Sequence, residues 1–262
     1  MVADWKACCK IAVTSSTASS TASTRSTRNP ATDEHLAKHY TAADFVAGKA
    51  DNKFAVQTEL ALPTAAEIPM LAFVGRLADQ KGVDLILEVL RERLVERNEQ
   101  WVFLGTGDPR IEDRLRQLAR EFPNKLSVTL AFSDALCHRI EAAADLFLMP
   151  SRFEPCGLSQ LYSLRYGTVP IVRSTGGLVD TIVDVDETSL VGGTATGFRF
   201  DDYHPGVLSD TIDRALRAYA QPDVWRPLVT NGMLQDWSWS RSAREYAQLY
   251  ESLRAKKLAV SA

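Results

Sequence analysis

The residues best suited to chemistry cluster near the middle of the 262-residue chain, over residues 145–181. The loop SRFEPCG in this stretch carries Glu154 and leads directly into a segment with helical spacing. Because the first N–H groups of a helix have no partner inside it, those of Cys156, Gly157 and Leu158 can hold a phosphate. A carboxylate repels a diphosphate, so Glu154 is better suited to accept hydrogen bonds from the hydroxyl groups of a sugar.

A second loop of the same stretch, STGGL, follows the strand pattern TVPIVR. Its paired glycines, Gly176 and Gly177, allow the backbone to approach a ligand closely because neither residue has a side chain. Phosphate donors beside a carboxylate suit a nucleotide sugar as the ligand. The same pattern also fits an ordinary buried-strand crossover with a tight turn, and the local sequence does not decide between the two interpretations.

Two cations stand at the end of an earlier strand pattern. The apolar run PMLAFVG is followed by Arg76, and the loop LADQKG then delivers Lys81. Cations at the end of a parallel strand can neutralise the charge of a diphosphate leaving group. Taken alone, such residues are more often solvated loop charges, so their spacing does not establish a site.

Positioning these groups requires a parallel sheet whose loops meet at one edge. Apolar strand patterns alternate with amphipathic helix patterns, as in WVFL before IEDRLRQLAREF and ADLFLMP before LSQLYSLRY. This alternation predicts a single Rossmann-like α/β domain, a parallel sheet with helices on both faces. Helices are also predicted over residues 45–62, ending before Pro63, and around residues 205–219.

The composition of the whole chain excludes several classes of protein. Apolar residues make up 45% of the chain, and the net charge of −3 argues against general nucleic-acid binding, which needs a basic surface. No apolar run approaches the length of a membrane span, and no secretory signal follows the start. The four cysteines, Cys8, Cys9, Cys137 and Cys156, show no metal-ligand spacing, which indicates a reduced intracellular compartment.

The stretch SRFEPCGLSQLYSLRYGTVPIVRSTGGLVDT resembles the corresponding part of bacterial glycogen synthases and plant starch synthases. Three further segments match that family in its own order along the chain: FVGRLADQKGVDLILEVL, FLGTGDPRIEDRL and DWSWSRSAREYAQLY. The resemblance covers about residues 29–258 and implies the C-terminal half of a retaining, two-domain GT-B glucosyltransferase. Such an enzyme transfers glucose from ADP-glucose to the non-reducing end of an α-1,4-glucan, without a cofactor.

The resemblance implies roles for the residues around the phosphates and the sugar. Arg76 and Lys81 match the cations that grip the nucleotide-sugar phosphates, and Glu154 matches the acid that faces the glucosyl group and tolerates positive charge at its anomeric carbon. The implied backbone contacts to the sugar phosphate come from two sets of residues: Cys156, Gly157 and Leu158 at the helix start, and Thr175, Gly176 and Gly177 in the floor of the site.

Two further residues are implicated by position alone. Phe132 stands where bacterial relatives often carry a tyrosine near the adenine, and a phenylalanine ring there can still stack. His138 matches a family histidine that orients the glucosyl or phosphate end of the donor. A histidine that only packs inside the domain is the competing interpretation for His138.

Two patterns that suggest metal ligands are assigned no metal. Asp184 and Asp186 form a DxD pattern, but a bare DxD in an acidic loop is a weak signal and the resembled family needs no such metal. His35 and His39 stand one helical turn apart, and without a third ligand evident in the sequence they are predicted to be surface histidines.

The chain divides into four predicted segments. Residues 1–28 are rich in Ser, Thr, Ala and Arg and are predicted to be disordered, residues 29–66 form an interdomain linker, residues 67–224 form the nucleotide-sugar domain, and residues 225–262 form C-terminal crossing helices. The first segment superficially resembles a plastid transit peptide. A truncated or frame-shifted gene start is favoured, because the N-terminal half of the resembled family is missing, so a cytoplasmic location is expected and a plastid is the alternative.

The half that is missing carries the glucan-binding surface in the resembled family. We therefore expect this chain alone to bind ADP-glucose without elongating a glucan, and Trp237 and Trp239 to lack their packing partner. Two other functions stay open from the sequence. One is a non-catalytic nucleotide-binding module, and the other is a GT-B glycosyltransferase that uses a UDP-sugar.

Overall fold

The structure, a computed structural model, describes the backbone of residues 28–260 and the side chains of residues 28–251. Apart from Arg28, the low-complexity segment predicted over residues 1–28 lies outside the described residues. The strands of the described part are β1 Met70–Val74, β2 Gln100–Leu104, β3 Leu126–Thr129, β4 Leu146–Met149, β5 Val169–Arg173 and β6 Phe198–Phe200. They form one parallel sheet in the order β3-β2-β1-β4-β5-β6.

Helices precede the sheet, connect its strands and follow it. The helices of the described part are α1 Phe45–Glu59, α2 Val83–Glu96, α3 Pro109–Glu121, α4 Asp134–Ala143, α5 Ser159–Arg165, α6 Gly177–Thr181, α7 Glu187–Val191, α8 Pro205–Tyr219, α9 Pro222–Met233 and α10 Trp239–Val260. A short 3-10 turn, Asp79–Lys81, precedes α2. The predicted Rossmann-like α/β class is therefore confirmed. No helix within residues 28–260 combines the length and the apolar character needed to cross a bilayer.

Two of the predicted helices test the boundaries drawn from the sequence. Helix α8 spans the residues predicted for it, because Pro205 at its first position fixes a helical φ angle without losing an internal hydrogen bond. Helix α1 ends at Glu59, before the predicted end at Leu62. The chain leaves the helix there because Ala61 adopts a left-handed conformation with φ of 54°.

The sheet is covered on both faces, and its strands are therefore almost entirely apolar. Alternate residues of β1 enter two different cores. Leu71 and Phe73 pack with residues of α2, α3 and α8, whereas Met70 and Ala72 pack with residues of α1 and α4. Strand β1 pairs with β2 on one side and with β4 on the other, which places the reversal of strand order between β1 and β4. Ligands bind at the carboxyl ends of the strands beside such a reversal.

Buried lysines of α1 attach the predicted linker to the amino edge of the sheet. The ammonium group of Lys53 pairs with Asp145 at 2.8 Å, and the same carboxylate accepts the N–H of Met70 at 2.8 Å. Lys49 donates to the carbonyl oxygen of Ala142 at 2.9 Å and to Thr168 Oγ1 at 2.8 Å, and burial lowers its pKa to about 7. Helix α1 thus packs as part of the domain.

The loops that follow β1 and β4 touch through their backbones. Gly82 has φ of 73°, and a Cβ atom at this position would overlap the carbonyl oxygen of Pro150. The N–H of Arg152 donates to the carbonyl oxygen of Gln80 at 2.9 Å, which closes the contact from the other side. The chain segments that carry Lys81 and Glu154 are therefore held at a fixed separation.

The crowding at Gly82 predicts a stability difference between two alanine variants. Gly82→Ala and Gly193→Ala both force a left-handed alanine, which costs about 1–2 kcal/mol. Gly193 has φ of 63° and open space where its Cβ atom would lie, so it is the matched control. We expect Gly82→Ala to lower the free energy of unfolding by about 1–3 kcal/mol more than Gly193→Ala, as measured in urea. Equal losses would show that the Pro150 contact does not constrain the loop.

Candidate functional site

The loops after β1, β2 and β3 enclose a cavity of about 530 Å³ at the carboxyl edge of the sheet. Its walls include Arg76, Gly105, Gly107, Phe132, Asp134 and Cys137. The ring of Phe132 is 93% exposed at this cavity, so the protein itself provides almost no packing for it. Two residues predicted for opposite ends of a nucleotide, Arg76 and Phe132, thus lie on the wall of one cavity.

Lys81 and Glu154 are brought together across 73 residues of sequence. The ammonium nitrogen of Lys81 lies 2.6 Å from Oε2 of Glu154, and the hydroxyl group of Ser151 donates to the same oxygen at 3.2 Å. The glutamate is only 8% exposed, so Lys81 rather than solvent balances its negative charge. Arg76 is exposed in the preceding loop and donates to the side-chain oxygen of Gln80. The structure therefore places Lys81 against a buried carboxylate at the reversal point of the sheet, and Arg76 on the wall of the neighbouring cavity.

The loop of residues 156–158, called here the 156–158 loop, precedes helix α5. Gly157 adopts a left-handed conformation with φ of 71°, and the helix begins at Ser159. In the described part of the chain, the N–H groups of Gly157 and Leu158 donate to no protein acceptor. Their proposed contact with a phosphate stays a prediction, and this geometry leaves both donors available for it.

The paired glycines after β5 approach protein backbone. The N–H of Gly177 donates to the carbonyl oxygen of Glu154 at 3.1 Å, and a Cβ atom on Gly176, whose φ is 49°, would overlap that same oxygen. The N–H of Thr175 donates to the carbonyl oxygen of Arg173 at 2.9 Å. These glycines therefore support the loop that carries Glu154, and their contact with a sugar phosphate stays a prediction.

His138 lies inside the domain and is not part of the cavity wall. Its Nδ1 atom is 2.6 Å from Oδ2 of Asp33, and the hydroxyl group of Tyr166 donates to the same carboxylate. Asp33 is buried, and these hydrogen bonds, which outweigh the effect of burial, lower its pKa. The contacts of His138 are those of a packing histidine that ties the predicted linker to α4. A role toward the donor stays a prediction.

The structure corrects the reason for which His35 and His39 were assigned no metal. Ligand atoms of Asp33, His35 and His138 lie within 4.8 Å of one another, so His35 does have potential partners. His39 is exposed, and its Nε2 atom lies 2.9 Å from the carbonyl oxygen of Asp33. The sequence carries no signal for this cluster, because Asp33 and His138 are 105 residues apart.

Both carboxylates of the DxD pattern hold structural elements together. Asp184 accepts the N–H of Arg199 and an N–H of the Arg214 guanidinium group, each at 2.6 Å. Asp186 caps the start of α7 by accepting the N–H of Ser189 at 2.7 Å. These contacts account for the two acidic residues without a bound ion.

A polar cluster beside the cavity was not singled out from the sequence. Arg28 forms a salt bridge with Glu141, and its guanidinium group lies 4.4 Å from the ring centre of Tyr162. Burial raises the pKa of Glu141 to about 7 and, together with the charge of Glu141, raises the pKa of Cys137 to about 12. The spacing of four between Cys137 and Glu141 was the available signal, since such residues share one side of a helix.

Comparisons with known proteins identify the family to which the chain is similar. A family model described as "Glycosyl transferases group 1" matches residues 61–227. Over 224 residues the chain is 53% identical to the glycogen synthase of Rhodopirellula baltica. This match covers 85% of the chain and 44% of that relative. The chain is 51% identical over 227 residues to the glycogen synthase of an Anaeromyxobacter species. This match covers 87% of the chain and 46% of that relative.

Solved structures include the catalytic domain of starch synthase IV from Arabidopsis thaliana, bound to ADP and acarbose. It aligns with a TM-score of 0.78 at 36% identity and covers 87% of this chain and 47% of that chain. The predicted resemblance to glycogen and starch synthases is confirmed, and the chain spans about half the length of the curated relatives it matches. Because the family model matches more than half of the chain, the chain belongs to the glycosyl transferase group 1 family.

Proposed function

We propose that this chain supplies the donor site of a glucosyltransferase of the glycogen and starch synthase type. The donor is ADP-glucose, and the acceptor is the non-reducing end of an α-1,4-glucan. The observation that carries the proposal is the Lys81–Glu154 pair, 2.6 Å apart, at the carboxyl edge of a parallel sheet. The sequence similarity to glycogen synthases and the ADP bound in the starch synthase IV structure support the same choice of donor.

The adenine is assigned to the cavity beside Phe132. An aromatic ring that is 93% exposed offers an open face on which a base can stack. The cavity of about 530 Å³ is in the range of ligand pockets and continues toward Arg76. The base and the phosphates of one nucleotide therefore fit along the strand ends from β3 to β1.

The phosphates are assigned to Arg76, Lys81 and the 156–158 loop. When the bond from the anomeric carbon to the diphosphate oxygen breaks, its electron pair leaves with ADP. Two cations and the N–H groups of Cys156, Gly157 and Leu158 stabilise the charge that develops on that leaving group. These groups supply positive charge without a metal ion, and none is included in the proposal.

The glucosyl group is assigned to the side of the site occupied by Glu154. Its carboxylate accepts hydrogen bonds from glucose hydroxyl groups and stabilises positive charge at the anomeric carbon in the transition state. Gly176 and Gly177 contact the carbonyl oxygen of Glu154, and together with Thr175 they are assigned to the floor of the site beside the sugar phosphate. An acceptor hydroxyl group then bonds the anomeric carbon, and its proton passes to the departing diphosphate oxygen. In this proposal His138 does not contact the donor and acts indirectly, by fixing α4 beside the cavity.

The acceptor is assigned to the remainder of the enzyme. Because the chain spans about half the length of its relatives, we propose that an acceptor-binding wall is formed by the part of such enzymes that this chain does not match. Transfer needs donor and acceptor in near-attack geometry, an effect worth about 7–11 kcal/mol. A cytoplasmic location belongs to the same proposal.

Purified alone, the chain is expected to bind ADP and to make no glucan. The binding groups lie within one domain, but an open site buries the ligand incompletely, so we expect dissociation constants of roughly tens of micromolar to millimolar. Calorimetry with ADP, ADP-glucose and UDP-glucose measures binding, and labelled ADP-glucose with a glucan primer measures transfer. Preference for UDP-glucose would favour the alternative donor. Elongation by the chain alone would contradict the assigned acceptor wall.

Loss of the cation and loss of the anion in the Lys81–Glu154 pair should have different effects on ADP binding. Lys81→Ala removes a charge-assisted hydrogen bond and leaves the carboxylate to repel phosphate, so ADP affinity should fall about ten- to a hundredfold. Glu154→Gln removes that repulsion, so ADP affinity should stay equal or rise. Titration calorimetry of both variants against the unaltered chain decides. Unchanged ADP binding by Lys81→Ala would remove Lys81 from the phosphate site.

Removal of the exposed ring should weaken binding without affecting folding. Phe132→Ala loses base stacking worth about 1–3 kcal/mol, so ADP affinity should fall roughly five- to a hundredfold. The melting temperature should stay within about a degree, because little of this ring is buried. Phe54→Ala is the matched control, since Phe54 is 61% exposed on α1. If both variants bind ADP like the unaltered chain, the adenine does not stack on Phe132.

A further inference from the structure

Gln160 lies directly behind the 156–158 loop, as the second residue of α5. Its side chain is 0% exposed, so it cannot reach a ligand through solvent. The side-chain nitrogen donates to the carbonyl oxygens of Cys156 and Gly157 and to Oγ1 of Thr181, each at 3.2 Å. One buried amide group thus holds two consecutive peptide units of the loop.

The hold on these carbonyl groups determines where the N–H groups of the loop point. In a planar trans peptide unit, the C=O and the following N–H point in opposite directions. Because Gln160 binds the carbonyl oxygen of Cys156, the N–H of Gly157 points away from it. Its bond to the carbonyl oxygen of Gly157 directs the N–H of Leu158 away in the same manner. These are the two N–H groups that find no protein acceptor in the described residues.

The other end of the same amide group is not satisfied. Oε1 of Gln160 is buried and has no hydrogen-bond partner among the described residues, and it would lie 2.5 Å from a Cβ atom at Gly157. A buried acceptor without a partner costs stability, and an apolar side chain of similar shape would avoid that cost. Packing alone therefore does not explain a glutamine here, whereas control of the loop does.

We propose that Gln160 is a positioning residue for the donor phosphates, which aims the N–H groups of Gly157 and Leu158 at them. The inference rests on the proposed function, because it takes the phosphates of a nucleotide sugar as the ligand of the 156–158 loop. Gln160 itself does not touch the ligand. It acts by fixing the orientation of two peptide units before the ligand arrives.

The test compares ADP binding with folding stability in the whole chain. Gln160→Met keeps the length and the apolar stem of the side chain but cannot hold the two carbonyl groups. We expect its ADP dissociation constant to rise about tenfold or more, with the binding of adenosine, which lacks phosphates, unchanged. The midpoint of urea unfolding should not fall in parallel, because the unsatisfied acceptor is removed as well. Calorimetry and urea titration supply the two readouts.

Two further variants separate positioning from a structural role. Gln160→Asn keeps the amide group, but its side chain is one methylene too short to reach the two carbonyl oxygens. It should therefore lose ADP affinity as Gln160→Met does. It provides the test of positioning if the methionine variant fails to fold. Gln57→Leu is the matched control, since Gln57 is a glutamine 1% exposed that bonds Ala65 at 2.9 Å and Gln100 at 2.7 Å. It should lose stability and keep its ADP affinity.

The outcomes distinguish this inference from the function on which it rests. Full ADP affinity in folded Gln160→Met and Gln160→Asn, beside an unaltered chain that binds ADP, would overturn the positioning role alone. Equal loss of ADP and adenosine binding would also overturn it, because the defect would not be specific to the phosphates. An unaltered chain that binds no ADP would overturn the proposed function, and this inference with it.

Discussion

Direct contacts between the backbones of neighbouring loops fix the arrangement of the loops at the carboxyl edge of the sheet. Cβ atoms at Gly82, Gly105 and Gly176 would overlap the carbonyl oxygens of the neighbouring loops, so no side chain separates these segments. Each loop therefore sets the position of the next one. For this reason Lys81 and Glu154 meet at 2.6 Å although 73 residues separate them. The formation of this ion pair therefore depends on contacts between uncharged backbone atoms.

The amino edge of the sheet is held by the opposite kind of contact. Buried polar side chains of α1 bind the strand starts there, as in the 2.8 Å pair of Lys53 with Asp145 and the 2.7 Å hydrogen bond of Gln57 with Gln100. Long flexible side chains carry these links, and each one needs its partner because burial leaves no water to replace it. The predicted linker helix is thereby integrated with the domain, while the loops at the other edge stay available for a ligand.

The alternation of strand and helix patterns was sufficient to predict the fold class, because a sheet covered on both faces needs apolar strands. The end of α1 was missed since a single residue, Ala61, leaves the helix in a left-handed conformation that no local pattern signals. Arg76 and Lys81 became candidates for a phosphate site only through the resemblance to a family motif, because their spacing alone fits solvated loop charges equally well. The partners of His138 and Gln160 could not be predicted, because Asp33 is far away in sequence and the unsatisfied Oε1 atom depends on the loop geometry.

The exposed ring of Phe132 has a consequence for how such a protein can diverge. Loops joined by glycine contacts leave no room for a side chain at Gly82 or Gly176, so a substitution at either position costs stability. Phe132, with 93% of its surface exposed, contributes almost nothing to folding. Substitutions there alter the surface that we propose for a base at negligible cost in stability. If the proposed function holds, the donor preference of this scaffold is therefore evolvable at one position while the loops assigned to the phosphates stay fixed.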